Sequence, residues 1–151
     1  RPTYKTNAGR TVYGGGGITP DYIVKNETIT EFTTSLLRNN TFYLFIRSYL
    51  DNNGTAIRQK YNDDITGFKE TFEFSENDLK KFIDFAKSKN VEFNQEQFDK
   101  DKSYITTRLK AQIARDFWRN EGWYPVMLNL DSQYKKAVTL FEEANSLAKS
   151  K

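Results

Sequence analysis

The side chains that most often do chemistry in proteins are missing from this sequence. Its 151 residues include no cysteine and no histidine. No Ser-His triad, thiol nucleophile or nitrogen and sulfur zinc site can be assembled within the chain. The glycine cluster Gly14-Gly15-Gly16-Gly17 invites a phosphate-loop reading, but Ile18-Thr19-Pro20-Asp21 follows it, where a phosphate loop needs a Gly-Lys-Ser/Thr run opening a helix. Asp63-Asp64, with Asp51 nearby, lacks the Asp-x-Asp-x-Asp-Gly spacing of a calcium loop and reads as a solvated turn. No metal or cofactor is expected.

Charge excludes little. The net charge is +3, from 23 basic and 20 acidic residues. The signs are interspersed: Lys80, Lys81, Lys87 and Lys89 mix with Glu76, Asp78 and Asp84, so no basic stripe for nucleic acid forms. No apolar run approaches the roughly 18 residues of a membrane span. The absence of cysteine leaves the redox compartment open. Asn-x-Thr triplets begin at Asn26, Asn39 and Asn53, as chance provides in an Asn- and Thr-rich chain. Phe117, Trp118, Trp123 and Tyr124, beside Gly122 and Pro125, read as a plug at a helix junction rather than a docking surface.

The elements divide into two regions. Residues 1–27 hold Gly9, Gly14, Gly15, Gly16, Gly17, Pro2 and Pro20 among the β-formers Tyr4, Val12, Tyr13, Ile18, Tyr22, Ile23 and Val24, which predicts short strands joined by glycine turns. Residues 28–151 carry helical periodicity and read as a helical C-terminal domain of about four to five helices, making the chain mainly α. Thr28 or Thr30 caps a first helix with Phe32, Leu36 and Leu37. Phe42, Phe45, Ile46, Tyr49 and Leu50 continue an apolar stripe, with or without a kink at Asn39-Asn40, that Asp51-Asn52-Asn53-Gly54 should stop. Thr55 to Phe74 is expected to be mostly loop, with a short strand at Glu70 to Phe74. Ser75 and Asp78 form a capping box for a helix ending near Asn90, and Asn94 caps another that runs to about Asn120, its charged start at Glu96 to Ser103 solvated. Asp131 caps a last helix with the apolar face Tyr134, Ala137, Val138, Phe141, Ala144 and Ala148.

The segment Gly9-Arg10, then Gly14 to Gly17, then Ile18-Thr19-Pro20-Asp21 resembles the closing motif of the core of tail-specific (carboxyl-terminal processing) serine peptidases, and the helical remainder is similar, more loosely, to the extensions of Bacteroidetes-like members. In that family the motif is structural, so Gly9, Arg10, Gly14, Gly15, Gly16, Gly17, Ile18, Pro20 and Asp21 are given no catalytic role. The resemblance implies cleavage of client proteins near their C-termini by a serine nucleophile with a lysine base, in a periplasmic or envelope setting. Such chemistry needs a partly desolvated, neutral lysine and backbone donors for the oxyanion. None of Ser35, Ser48, Ser75, Ser88, Ser103, Ser132, Ser146 or Ser150 stands in the Gly-x-Ser context the resemblance requires, and the peptide-gripping PDZ module is absent. The chain, beginning at Arg1 without a leader, therefore reads as an inactive C-terminal piece whose parent acts on protein or peptide substrates. Its helices would brace the core, form a homodimer or contact clients; the alternative is a stand-alone helical interaction module.

Overall fold

The structure, a computed structural model, describes residues 2–15, 22–25 and 27–149. The chain is mainly α, with one small sheet and seven α-helices among the described residues. It divides into two compact units, Glu27–Leu130 and the pair of segments Arg1–Asn26 and Asp131–Lys151.

The larger unit begins at α1 (Glu31–Arg38), capped by Thr30. Asn39 closes it and Asn40 takes a left-handed conformation (φ 53°), a backbone state that Asn tolerates better than most residues, so α2 (Thr41–Tyr61) starts as a separate helix. Helix α2 runs straight through the Asn-Asn-Gly signal at residues 52–54. Ile57 and Tyr61 continue the stripe of Phe42, Phe45 and Ile46, and all five are buried. Their burial outweighs the weak propensity of Gly54, which costs only about 1 kcal/mol in a helix interior.

The loop expected over Thr55 to Phe74 is thus largely helical. After the turn at Asn62, α3 (Ile65–Thr71) forms with Asp64 as its cap, the Gly67 amide donating to Asp64 Oδ1 at 2.8 Å. No strand forms at Glu70 to Phe74; Phe68 and Phe72 instead stack with ring centroids 4.9 Å apart. Helix α4 (Glu76–Ser88) opens on the capping box, Ser75 and Asp78 each satisfying the other's backbone amide.

Helix α5 (Gln95–Met127), capped by Asn94, is the spine against which α1, α2 and α3 lie. It is two helices joined at Arg119, whose backbone (φ 57°, ψ −138°) is not helical. The break falls one residue from the end near Asn120 that the sequence predicts, and Gly122 beyond it has a task of its own. A Cβ on Gly122 would lie 2.5 Å from the Ala114 carbonyl oxygen. Residues eight apart in a continuous helix are separated by about 12 Å, so the chain folds back at Arg119 and Gly122 permits the close approach. A short 3-10 turn, Leu128–Leu130, closes the unit.

The core is aromatic. Phe82 is fully buried, stacked on Phe42 at 5.6 Å and edge-on to Phe45 at 5.2 Å. Phe68 meets Tyr61 and Trp118 edge-on at 5.2 and 5.3 Å. Each such ring contributes about 1.5–3 kcal/mol by burial, and offset or edge contacts add to it.

In the smaller unit, β1 (Thr3–Lys5) pairs antiparallel with β2 (Thr11–Tyr13), Tyr4 opposite Val12. All six strand residues are exposed. Residues 22–25 form no strand, contrary to the expectation for Tyr22, Ile23 and Val24. The helix expected after Asp131 is split at Leu140 into α6 (Ser132–Thr139) and α7 (Phe141–Lys149). The Thr139 hydroxyl donates to the Lys136 carbonyl at 2.7 Å, competing with the helical ladder where it ends. The Tyr22 hydroxyl donates to the Glu143 carboxylate at 2.9 Å, and Lys136 Nζ lies 4.8 Å from the Tyr22 ring centre.

Candidate functional site

The residues of the glycine motif that the structure describes are backbone devices. Gly9 has φ 78° in the hairpin loop, and its amide donates to the Thr6 carbonyl at 2.8 Å. The Arg10 amide donates to Thr6 Oγ1 at 3.2 Å. Gly14 donates to the Pro2 carbonyl at 2.7 Å, and the Tyr4 ring occupies the space that a side chain there would need. Gly15 has φ 87°. Gly16, Gly17, Ile18, Pro20 and Asp21 lie outside the described residues, as does Ser150.

Two serines use their hydroxyls to fasten helices. Ser75 caps α4, and the Ser88 hydroxyl donates to the Phe85 carbonyl at 2.6 Å, a helix-end contact that occupies its proton. Among the described residues, Lys110 has a pKa below the ordinary lysine value: burial lowers it, partly opposed by the charge of Glu73. Its ammonium donates to the Lys69 carbonyl at 2.6 Å near the end of α3, which ties α3 to α5. Asp64, read in the sequence as part of a solvated turn, is the α3 cap. No group of three metal-ligating side chains occurs among the described residues. Phe117, Trp118 and Trp123 pack against the core, and Tyr124 is exposed.

Two features were not seen in the sequence. The first is Asp101, 6% exposed in a stretch expected to be solvated. Its Oδ2 accepts from the Thr30 amide at 2.8 Å, the Thr30 hydroxyl at 2.7 Å and the fully buried Thr33 hydroxyl at 2.6 Å. Burial alone would raise its pKa, but the hydrogen bonds from Thr33 and Thr30, with the charge of Lys100, hold the carboxyl below its ordinary value. The signal was there: Phe98, Asp101, Ile105 and Leu109 share a helical face, and Asp101 sits on it among apolar residues. Its tie to α1 is structural.

The second is an open groove of about 460 Å³ between α2 and α5. Leu50, Gly54, Arg58 and Asn62 line it from the α2 side, Asp116 and Phe117 from α5. The Arg58 guanidinium lies over the Phe117 ring, 4.2 Å from its centre. Asn62 holds an uncommon backbone conformation (φ 46°, ψ −114°), and the Trp118 indole N–H donates to its carbonyl at 3.0 Å. The groove therefore offers a cation, an anion, two apolar walls and a backbone fixed from both helices. The sequence hint was Gly54 itself, a glycine that continues the apolar stripe of α2.

No helix among the described residues is long and apolar enough to cross a membrane. No curated protein and no solved structure matches the chain. Residues 32–120, more than half its length and all within the larger unit, match one family. The chain belongs to that family, described as "Family of unknown function (DUF8443)".

Proposed function

We propose that this chain is the non-catalytic C-terminal part of a tail-specific serine peptidase. Residues 1–27 would be the end of its β-containing catalytic body and residues 28–151 an appended structural or regulatory domain. The observation that carries the reading is the hairpin under the glycine motif. Among the described residues, Tyr4, Val12 and Tyr13 are 59%, 39% and 57% exposed on a sheet of two strands. A hairpin of this size gains too little by itself, and its exposed apolar residues suit a strand pair that completes a larger sheet. In this reading the nucleophilic serine and its lysine base lie upstream, the clients are proteins cut near their C-termini in the periplasm or envelope, and the helices brace the core, pair two copies or touch clients.

A fluorophosphonate probe tests it. The complete gene product should be labelled at a serine upstream of the glycine motif, and the present chain at none. Labelling of any serine in this chain, or an intact product without an upstream Gly-x-Ser, would overturn the reading. The second reading, a helical protein-interaction module, is favoured by the family match, which covers 32–120 and leaves the glycine motif out. Under it, the upstream coding region opens with a start codon and signal peptide rather than a catalytic domain.

A further inference from the structure

We propose that the groove between α2 and α5 binds a small zwitterion with an apolar side group, such as an α-amino acid, Arg58 taking the carboxylate and Asp116 the ammonium group. The inference concerns the helical unit and does not rest on the peptidase reading. Four observations carry it.

Gly54 is buried in the interior of a helix, where glycine is the poorest choice after proline. Packing within the chain does not demand it. A Cβ there would have as its nearest neighbour the Leu50 Cβ at 3.4 Å, an ordinary contact, and the Gly54 backbone is helical. The absent side chain keeps the groove floor open.

Arg58 and Asp116 line that groove with opposite charges, yet among the described residues neither forms an ion pair or a side-chain hydrogen bond. The Arg58 guanidinium carbon lies 4.2 Å from the centre of the Phe117 ring, a contact that uses none of its N–H groups as conventional hydrogen-bond donors and so leaves them for an acceptor. A phosphate dianion would meet Asp116, and a simple amine would meet Arg58. A molecule carrying one charge of each sign satisfies both, while Leu50 and Phe117 receive its apolar part.

The rim is held in costly backbone geometry. Asn62 (φ 46°, ψ −114°) lies on it, and Arg119 (φ 57°, ψ −138°) lies two residues beyond Phe117. Strain of this kind persists where surrounding structure enforces it, and it clusters at ligand sites. Here the indole of Trp118, the residue before Arg119, donates to the Asn62 carbonyl at 3.0 Å and ties the end of α2 to α5. The volume of about 460 Å³ falls within the range of small-molecule sites.

The test is an NMR titration of the ¹⁵N-labelled chain with L-leucine and L-phenylalanine, and with 3-phenylpropionate and phenethylamine as single-charge comparisons. The Trp118 indole N–H and the Gly54 and Arg58 amides should shift saturably with the amino acids. Each single-charge compound, and the Arg58→Gln variant, should bind on the order of tenfold more weakly, the loss expected for one charged hydrogen-bonding partner. Gly54→Leu, which fills the floor, should abolish the shift. Arg58 is exposed, so its replacement leaves the fold intact and serves if the Gly54 variant does not fold. Absence of a saturable shift with both amino acids, equal binding of the single-charge compounds, or binding unaffected by Arg58→Gln would overturn the proposal.

Discussion

Replacing Asp101 by alanine tests the best-defined polar contact in the fold. One carboxylate oxygen receives three donors within 2.8 Å, one of them the hydroxyl of a fully buried threonine. Asp101→Ala leaves the Thr33 hydroxyl and the Thr30 amide without an acceptor, at a cost of about 1–3 kcal/mol per stranded group. The Thr30 hydroxyl can turn away, so we expect about 3 kcal/mol in total, read as a lower urea midpoint by far-UV circular dichroism with an unchanged slope. The pH dependence is more telling. The folded-state pKa is depressed, so the contact contributes fully above the ordinary value near 3.8 and is lost as pH falls below that value through the folded one. The gap between wild type and variant should hold its full size at about pH 6 and shrink below about pH 4. A gap under about 1 kcal/mol at neutral pH would refute the reasoning. So would a gap that stays constant as the wild-type carboxylate is protonated.

Three further substitutions follow from the backbone and the core. Gly122→Ala should destabilise by about 2 kcal/mol, because the carbonyl it meets, 2.5 Å from the new Cβ, is main chain and cannot rotate aside; calorimetry showing no loss would mean that the helix break is laxer than drawn. Arg119→Gly should gain about 1 kcal/mol by relieving its positive φ, measured as a higher thermal midpoint. Thr41→Val should also gain about 1 kcal/mol, since the Thr41 hydroxyl is buried without a partner among the described residues. A loss of stability in that last variant would show that the hydroxyl is satisfied.

The helix starts were legible because capping is local: Thr30, Ser75 with Asp78, Asn94 and Asp131 each sit within three residues of the amide they accept from. The helix ends were harder to read. Asn-Asn-Gly at 52–54 is a stop only when nothing beyond it needs burial, and Ile57 and Tyr61 do. Helix α3 spans seven residues, too few for a periodic pattern, and its cap was taken for a solvated turn. The break at Arg119 lies one residue from the end near Asn120 that the sequence predicts, but the return of the chain onto Ala114 after it is a tertiary contact that no local pattern announces. Asp101 and the groove were hidden for a related reason. A buried carboxylate looks like any surface acid until the threonines that hold it arrive from some seventy positions away, and Arg58 and Asp116 are brought to one groove only by the packing of two helices.

The backward fold at Arg119 also bears on where this domain ends physically. The family match stops at residue 120, yet Gly122 is buried and Val126, at 0% exposure, is as fully shielded from water as any residue in the core. A version trimmed at residue 120 would forfeit the burial of Val126, about 2 kcal/mol, together with the cover that the returning segment provides for Ala114. The smallest self-sufficient form of this unit should therefore extend to the 3-10 turn at Leu128–Leu130, ten residues past the last position by which its relatives are recognised.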